Sequence, residues 1–274
     1  MNKKIGFIGC GKMAQAIIGG MLKSGIARPD DIVASARTES TLANVKNTYD
    51  IQVTLDNKRA AEQADFLFLA VKPDVHKEVI EEIKGSVSDD TIIITIAAGI
   101  SLAFLESAFG REIKAIRSMP NTPSLAGEGM SALAACRQVS ESERRKAAEL
   151  FESFGKAEFI EENLMDSIPA ISGSSPAYVY MFIEALADGG VLQGLPRETS
   201  YRLAAQAVLG AAKMVLETGK HPGELKDQVC TPGGATIEAV AELEKRSFRS
   251  SVISAMQSCT SKSKQLAKSQ AEQS

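Results

Sequence analysis

The alternation of apolar and polar positions changes its rhythm near Glu161. Before that point, short apolar runs alternate with helical patterns. Lys4–Ile8 is a predicted strand that leads directly into glycines, and Met13–Leu22 then places apolar residues at helical spacing. Ile32–Ala36, Phe66–Val71, Thr91–Ala97, Ile113–Arg117 and Met130–Ala135 are further predicted strands. Runs that are apolar on both faces and separated by helices indicate a parallel sheet covered on both sides. From Asn163 onward no strand pattern recurs. Helices are predicted over Tyr178–Leu192, Glu198–Leu216, Ala235–Glu244 and Phe248–Leu266, punctuated by Gly194-Leu195-Pro196 and His221-Pro222-Gly223. The expected organisation is α/β, with a sheet domain over residues 1–162 and an all-helical domain over 163–274. A helical domain of roughly 110 residues is small for burying so many apolar faces alone. Ala185, Ala187, Gly189 and Gly190 permit close helix approach. A subunit interface, and hence a homo-oligomer, is favoured over internal packing alone.

Ile8-Gly9-Cys10-Gly11-Lys12-Met13-Ala14 follows the first strand and opens the first helix. This is G-x-G-x-x-A. The first glycine makes the tight turn, the second lets backbone approach a pyrophosphate, and the third position tolerates Ala where helix packs on strand. The helix start then supplies amides for an anion. In that setting the pattern marks a Rossmann-type dinucleotide-binding domain. Cys10 reads as a small spacer rather than a redox switch. An acid that would bind the ribose of NAD is missing at the end of the second strand, which runs Val33-Ala34-Ser35-Ala36-Arg37-Thr38. Ser35 can hydrogen-bond a phosphate and Arg37 can pair with it, which predicts NADPH over NADH.

Three other segments fall beyond the carboxyl ends of strands, where open parallel sheets bind ligands: Ala70-Val71-Lys72-Pro73, Ala97-Ala98-Gly99 and Met119-Pro120-Asn121-Thr122-Pro123. Lys72 either reaches the cofactor or is a surface lysine. Asn121 either bonds the cofactor's carboxamide or ribose, or caps its own turn. In the helical half, two polar, glycine-bearing segments precede apolar runs, Ser172–Tyr178 and Val229-Cys230-Thr231-Pro232-Gly233-Gly234-Ala235-Thr236. A helix start suits a small carboxylate. A binding site over Thr231–Thr236 explains the whole cluster, whereas simple N-capping explains one hydroxyl.

Composition narrows the classes. A net charge of −3 and the absence of Trp argue against nucleic-acid binding. Two His leave no His-rich metal site, and none is expected. The longest uncharged stretch, Ser167–Ile183, carries two prolines and four serines, so no membrane span is expected. The run after Lys3-Lys4 is too short and glycine-broken for a signal peptide. Four widely spaced cysteines read as reduced thiols of a cytoplasmic protein. His76 and His221 read as structural or solvated.

Taken in order, Gly9-x-Gly11-x-Met13-Ala14, Ala70–Pro73, Ala97–Gly99, Met119–Pro123, Ser172–Tyr178, Glu184-Ala185-x-x-Asp188-Gly189-Gly190-Val191 and Pro232-Gly233-Gly234-Ala235-Thr236 resemble the Δ1-pyrroline-5-carboxylate reductase family over essentially the whole chain. The resemblance implies reduction of the C=N bond of pyrroline-5-carboxylate to L-proline by NADPH or NADH. It also implies a helical domain that dimerises, with dimers that often assemble into decamers. By the same resemblance, Ile8, Gly9, Cys10, Gly11, Lys12 and Met13 hold the pyrophosphate, and Ser35 and Asn57 lie near the adenosine. Ala70, Val71, Lys72, Pro73, Ile96, Ala97 and Ala98 line the cofactor, and Gln228 lies near the nicotinamide. Val229, Thr231, Gly233, Gly234 and Ala235 surround the substrate, and Thr236 hydrogen-bonds the ring nitrogen. Three residues depart from the common pattern: Ser175 replaces a glycine, Lys12 a neutral residue, and Cys230-Thr231 a hydroxyl pair.

Two rival readings share the plan. A β-hydroxyacid dehydrogenase would use Lys213 in Gly210-Ala211-Ala212-Lys213 as its catalytic lysine, although Glu217 stands where Asn is often found. A non-catalytic NADP-binding sensor would bind cofactor without turnover.

Overall fold

The computed structural model describes residues 3–272, with side chains through residue 265. Residues 3–173 and the stretch from Cys259 form one compact unit, and Ser174–Ser258 form a second.

The first unit is built on eight strands: β1 (Ile5–Ile8), β2 (Ile32–Ser35), β3 (Gln52–Thr54), β4 (Phe66–Leu69), β5 (Ile92–Thr95), β6 (Lys114–Met119), β7 (Gly129–Ala135) and β8 (Gly155–Phe159). They lie in the order β3-β2-β1-β4-β5-β6-β7-β8. Helices α1 (Lys12–Ser24), α2 (Glu39–Tyr49), α3 (Asn57–Glu62), α4 (His76–Ile83), α5 (Leu102–Phe109) and α6 (Glu141–Glu152) connect them. The continuous apolar runs follow from burial on both faces. Successive side chains of a strand point to opposite sides, so Phe66 and Phe68 join one core layer with Phe7, Ile17, Met21 and Phe151. Leu67 and Leu69 join the other with Ile80, Ile93 and Leu105. The Phe7 and Phe68 rings stack at 4.7 Å.

The sheet departs from the parallel expectation at one place. β7 runs antiparallel to β6, because the short connection Pro120–Glu128 is a turn around a 3₁₀ segment, Thr122–Ala126, and a parallel return needs a longer crossover. The sequence pattern also lacks β3 and β8. Both are edge strands with exposed or half-exposed side chains, so neither carries an apolar signal.

The second unit holds α7 (Ser175–Leu192), α8 (Arg197–Thr218), α9 (Pro222–Val229), α10 (Ala235–Lys245) and the start of α11 (Phe248–Glu272). α9 has no sequence precursor in the apolar pattern because it buries no side chain. α7 and α8 form a hairpin whose seam is made of small residues. Ala187, Ser200 and Ala204 are buried there, and a Cβ on Gly190 would come within 2.7 Å of Ser200 Oγ. Gly189, by contrast, faces open space. Most larger apolar side chains of this unit are exposed, with Met181 at 69%, Leu192 at 86% and Leu216 at 80%. Among the described residues, no helix is long and apolar enough to cross a membrane, and no group of three or more His, Cys, Asp or Glu could hold a metal ion.

Candidate active site

The carboxyl ends of β1, β2 and β4 open on a cavity of about 520 Å³. Its floor is the turn after β1. Gly9 has φ +94°, its N–H donates to the Ser35 carbonyl at 3.0 Å, and a Cβ there would lie 2.6 Å from the Ala70 carbonyl oxygen. Only glycine fits. Gly11 is the N-cap of α1, with no side chain capping the helix, and a Cβ on it would meet nothing within 4 Å. Its bareness leaves room in the cavity and leaves the first-turn amides of α1 for an anion.

Nine of the expected residues line this cavity together: Ile8, Gly9, Cys10 and Gly11 from the turn, Arg37 after β2, Asn57 at the start of α3, and Ala70, Val71 and Lys72 after β4. Neither Arg37 nor Lys72 has an ion-pair partner among the described residues. Burial pushes the Cys10 thiol up to about 12, so it is an inert spacer rather than a switch.

Other expected residues stand elsewhere. Ser35 is fully buried, and its hydroxyl lies 2.7 Å from Asn57 Oδ1 and 3.3 Å from the Phe7 carbonyl. As the last residue of β2 it faces the interior and holds Asn57, so it is not part of the cavity lining. Lys12 is exposed at the first position of α1, Met13 and Ile96 pack against the core, and Pro73 opens a 3₁₀ turn; none of these lines the cavity. The pattern missed Glu78 and Glu82, which reach the cavity from α4. Their one signal is the i, i+4 spacing on the side of the helix opposite Ile80 and Ile83.

A smaller recess gathers Ala97, Ala98 and Gly99 with Arg117, Met119 and Ser263. Arg117 is almost buried and pairs with Asp166 at 2.6 Å. His76 is fully buried, with Nδ1 3.0 Å from the Lys72 carbonyl and Nε2 3.0 Å from Thr95 Oγ1. Thr95 Oγ1 in turn accepts from the Ala97 N–H at 3.2 Å. Burial lowers the His76 pKa, against the Lys72 hydrogen bond, which raises it. His76 is therefore a neutral tie between two rim segments, in line with its structural reading. Asn121 bonds two segments outside its own turn. Its amide donates to the Ser172 carbonyl at 2.9 Å and accepts from the Met130 N–H at 2.9 Å. It makes no side-chain cap of its own turn and lines neither cavity; it clamps the reversal between β6 and β7.

In the helical unit, Thr231–Gly234 form a tight turn. The Gly234 N–H donates to the Thr231 carbonyl at 3.0 Å, Pro232 and Gly233 take the central positions, and Gly233 has φ +69°. That is the type II pattern. Gly234 is the N-cap of α10 with no side-chain cap, so simple capping by Thr231 does not account for the cluster. Ala235 and Thr236 open the helix, with Thr236 half-buried. Val229 is exposed at the end of α9, and Gln228 bonds Glu224 at 3.1 Å. Ser175 is the half-buried first residue of α7. Lys213 is exposed on α8 and pairs with Glu217 at 3.4 Å, a solvated-face arrangement rather than a buried catalytic amine.

Residues 162–266 match a family model described as pyrroline-5-carboxylate reductase dimerisation, and residues 4–99 match one described as NADP oxidoreductase, coenzyme F420-dependent. The chain is 47% identical over 269 residues to a pyrroline-5-carboxylate reductase of Escherichia coli, covering 98% of this chain and all of the relative. It superposes on a Coxiella burnetii pyrroline-5-carboxylate reductase with a TM-score of 0.92 at 34% identity, covering 97% and 99% of the two chains. A Plasmodium falciparum pyrroline carboxylate reductase with NADP bound gives 0.86 at 35% identity, covering 97% and 98%.

Proposed function

This chain belongs to the pyrroline-5-carboxylate reductase family, and from that membership we propose how its residues divide the work. It is an NAD(P)H-dependent oxidoreductase that reduces the C=N bond of pyrroline-5-carboxylate to L-proline, the last step of proline biosynthesis, and it acts as a homodimer. The observation that carries this is full-length identity to reductases of the same name together with an open glycine-floored cavity at the end of β1.

The cavity's chemistry fits a dinucleotide. The bare Gly11, the uncapped start of α1 and the unpaired Arg37 supply space, amides and a cation where phosphates are needed. With no acid at the end of β2, Arg37 favours the extra phosphate of NADPH. When bound, the reduced nicotinamide supplies the hydride. Ala70–Lys72 and Ala97–Ala98 orient it by presenting small side chains and backbone. The uncapped start of α10 takes the substrate carboxylate on the first-turn amides of Ala235 and Thr236, flanked by Val229, Thr231, Gly233 and Gly234. Thr236 hydrogen-bonds the ring nitrogen and relays to it a proton from solvent, which gives the protonated imine that accepts the hydride at carbon. Gln228 lies toward the nicotinamide end. A protonated imine accepts hydride readily, so positioning carries most of the catalysis, in keeping with the lack of an acid–base set.

The functional division falls at 162/163, which the match of the dimerisation family from residue 162 supports. Assembly of dimers into decamers and a cytoplasmic location belong to the same reading; four free thiols support the latter.

The test is NADPH oxidation, followed by near-ultraviolet absorbance, with and without pyrroline-5-carboxylate, and NADH in parallel. Rapid oxidation that depends on the substrate is expected. Thr236→Ala is expected to lower kcat/KM about tenfold; a loss under about twofold removes Thr236 from the mechanism. Tight NADPH binding without turnover would favour the sensor reading.

A further inference from the structure

Glu82 is a residue that the nucleotide-binding pattern does not foresee. It projects from α4 onto the cavity wall, and its Oε2 accepts from Asn57 Nδ2 at 2.8 Å. On the other side of Asn57, the fully buried Ser35 hydroxyl sits 2.7 Å from Oδ1. Asn57 itself is held at the start of α3, where Asp56 caps the helix by accepting from the Lys58 N–H at 2.9 Å.

An amide has two chemically distinct ends of nearly equal shape, and its neighbours decide which way it points. A carboxylate only accepts, so Glu82 obliges Asn57 to turn its nitrogen outward. That turns Oδ1 inward and makes the Ser35 hydroxyl the donor to it. Without Glu82 the opposite orientation becomes satisfiable. Asn57 Nδ2 would then donate to Ser35 Oγ, and that hydroxyl would donate to the Phe7 carbonyl, 3.3 Å away. Glu82 thus selects one of two amide orientations and fixes what the cavity sees: one free Nδ2 hydrogen and the remaining lone pair of Oδ1.

We infer that Glu82 is a positioning residue for the adenosine end of the dinucleotide, acting through Asn57 by locking its amide with the nitrogen turned toward Glu82. The inference rests on the assignment of this cavity to the cofactor.

The experiment is calorimetric titration of the full-length protein with adenosine 2′,5′-bisphosphate, which carries the adenosine end and no reacting group. Glu82→Ala is expected to raise Kd about fivefold, the scale of one oriented hydrogen bond. Glu82→Gln keeps an oxygen that accepts from Asn57, so its Kd stays within about twofold of the parent. In an Asn57→Ala background, removing Glu82 changes Kd by less than about twofold, because nothing remains to be oriented. In turnover, Glu82→Ala raises the KM for NADPH about fivefold and leaves kcat within about twofold. Both side chains are at the surface or half-buried, and thermal melting checks that the variants fold. A Kd for Glu82→Ala within about twofold of the parent, or an equal loss in the Asn57→Ala background, overturns the inference and leaves the cavity assignment intact. Failure of the parent protein to bind the bisphosphate overturns the cavity assignment and the inference with it.

Discussion

The two units of this chain solve the problem of apolar burial in opposite ways. In the sheet unit, aromatic and aliphatic side chains fill two layers, and the large apolar residues left exposed are Leu55, Leu125, Leu164 and Ile171. In the helical unit, eighteen such residues are exposed among the described residues, from Val179 to Ile253, and the buried positions are Ala187, Ser200 and Ala204. A single domain exposing so much apolar surface marks an interaction face. The sheet unit carries its core within itself; the helical unit is half of a core that a second copy completes. The difference separates two kinds of surface: the sheet unit keeps its apolar residues inside and opens a glycine-floored cavity, while the helical unit, matched by a dimerisation family, leaves an apolar face exposed.

The largest test of the contrast places a carboxylate on an exposed apolar position of each unit. Phe182→Glu on α7 is expected to abolish the dimer in sedimentation equilibrium, since an unpaired buried carboxylate costs several kcal/mol. Leu125→Glu on the sheet unit, at 66% exposure, is expected to leave association unchanged and stability within about 0.5 kcal/mol. If both variants dissociate, or neither does, the contrast fails.

Inside the sheet unit, the two glycines of the turn sharpen the comparison between fold and ligand. Gly9→Ala meets the Ala70 carbonyl and a positive φ, and is expected to lower stability by about 1–3 kcal/mol by urea unfolding. Gly11→Ala is expected to unfold like the parent and to lose about tenfold or more in NADPH affinity by fluorescence titration, because its Cβ enters the cavity alone.

A smaller effect is expected at Arg37. Arg37→Ala should raise the Kd for NADPH about tenfold and that for NADH less than about twofold. Equal losses would assign Arg37 to the pyrophosphate instead.

The smallest concerns pH. His76 is buried neutral, with its pKa lowered by burial. The unfolded chain takes up a proton near the ordinary imidazole value of about 6.5 and the folded chain does not. The contribution of a neutral His76 is therefore present above that value and is lost as pH falls below it toward the folded value. His76→Gln should flatten the fall in urea midpoint between about pH 8 and pH 5; an unchanged slope would show that other groups dominate.

What could be read from the sequence follows the range of the forces involved. Gly9 and Gly11 were legible because a backbone turn and a helix start are local requirements. The buried strands were legible because two-sided burial writes an uninterrupted apolar run, as in Phe66–Leu69. β3 and β8 were not, because an edge strand leaves its side chains in water. The bond between Ser35 and Asn57 was not, because the two lie 22 residues apart. Glu82 and the clamp made by Asn121 with Ser172 and Met130 depend on pairings between segments distant in the chain, and no local pattern records them.

The half-built core of the helical unit also governs how this chain can vary. In a two-fold symmetric dimer the same patch serves both subunits, so each side chain on it appears on both sides of the seam. A substitution there is made twice at once, and a new side chain near the axis has to tolerate its own image. The sheet unit can drift one residue at a time, whereas the exposed faces of the helical unit can drift only toward sequences that match themselves.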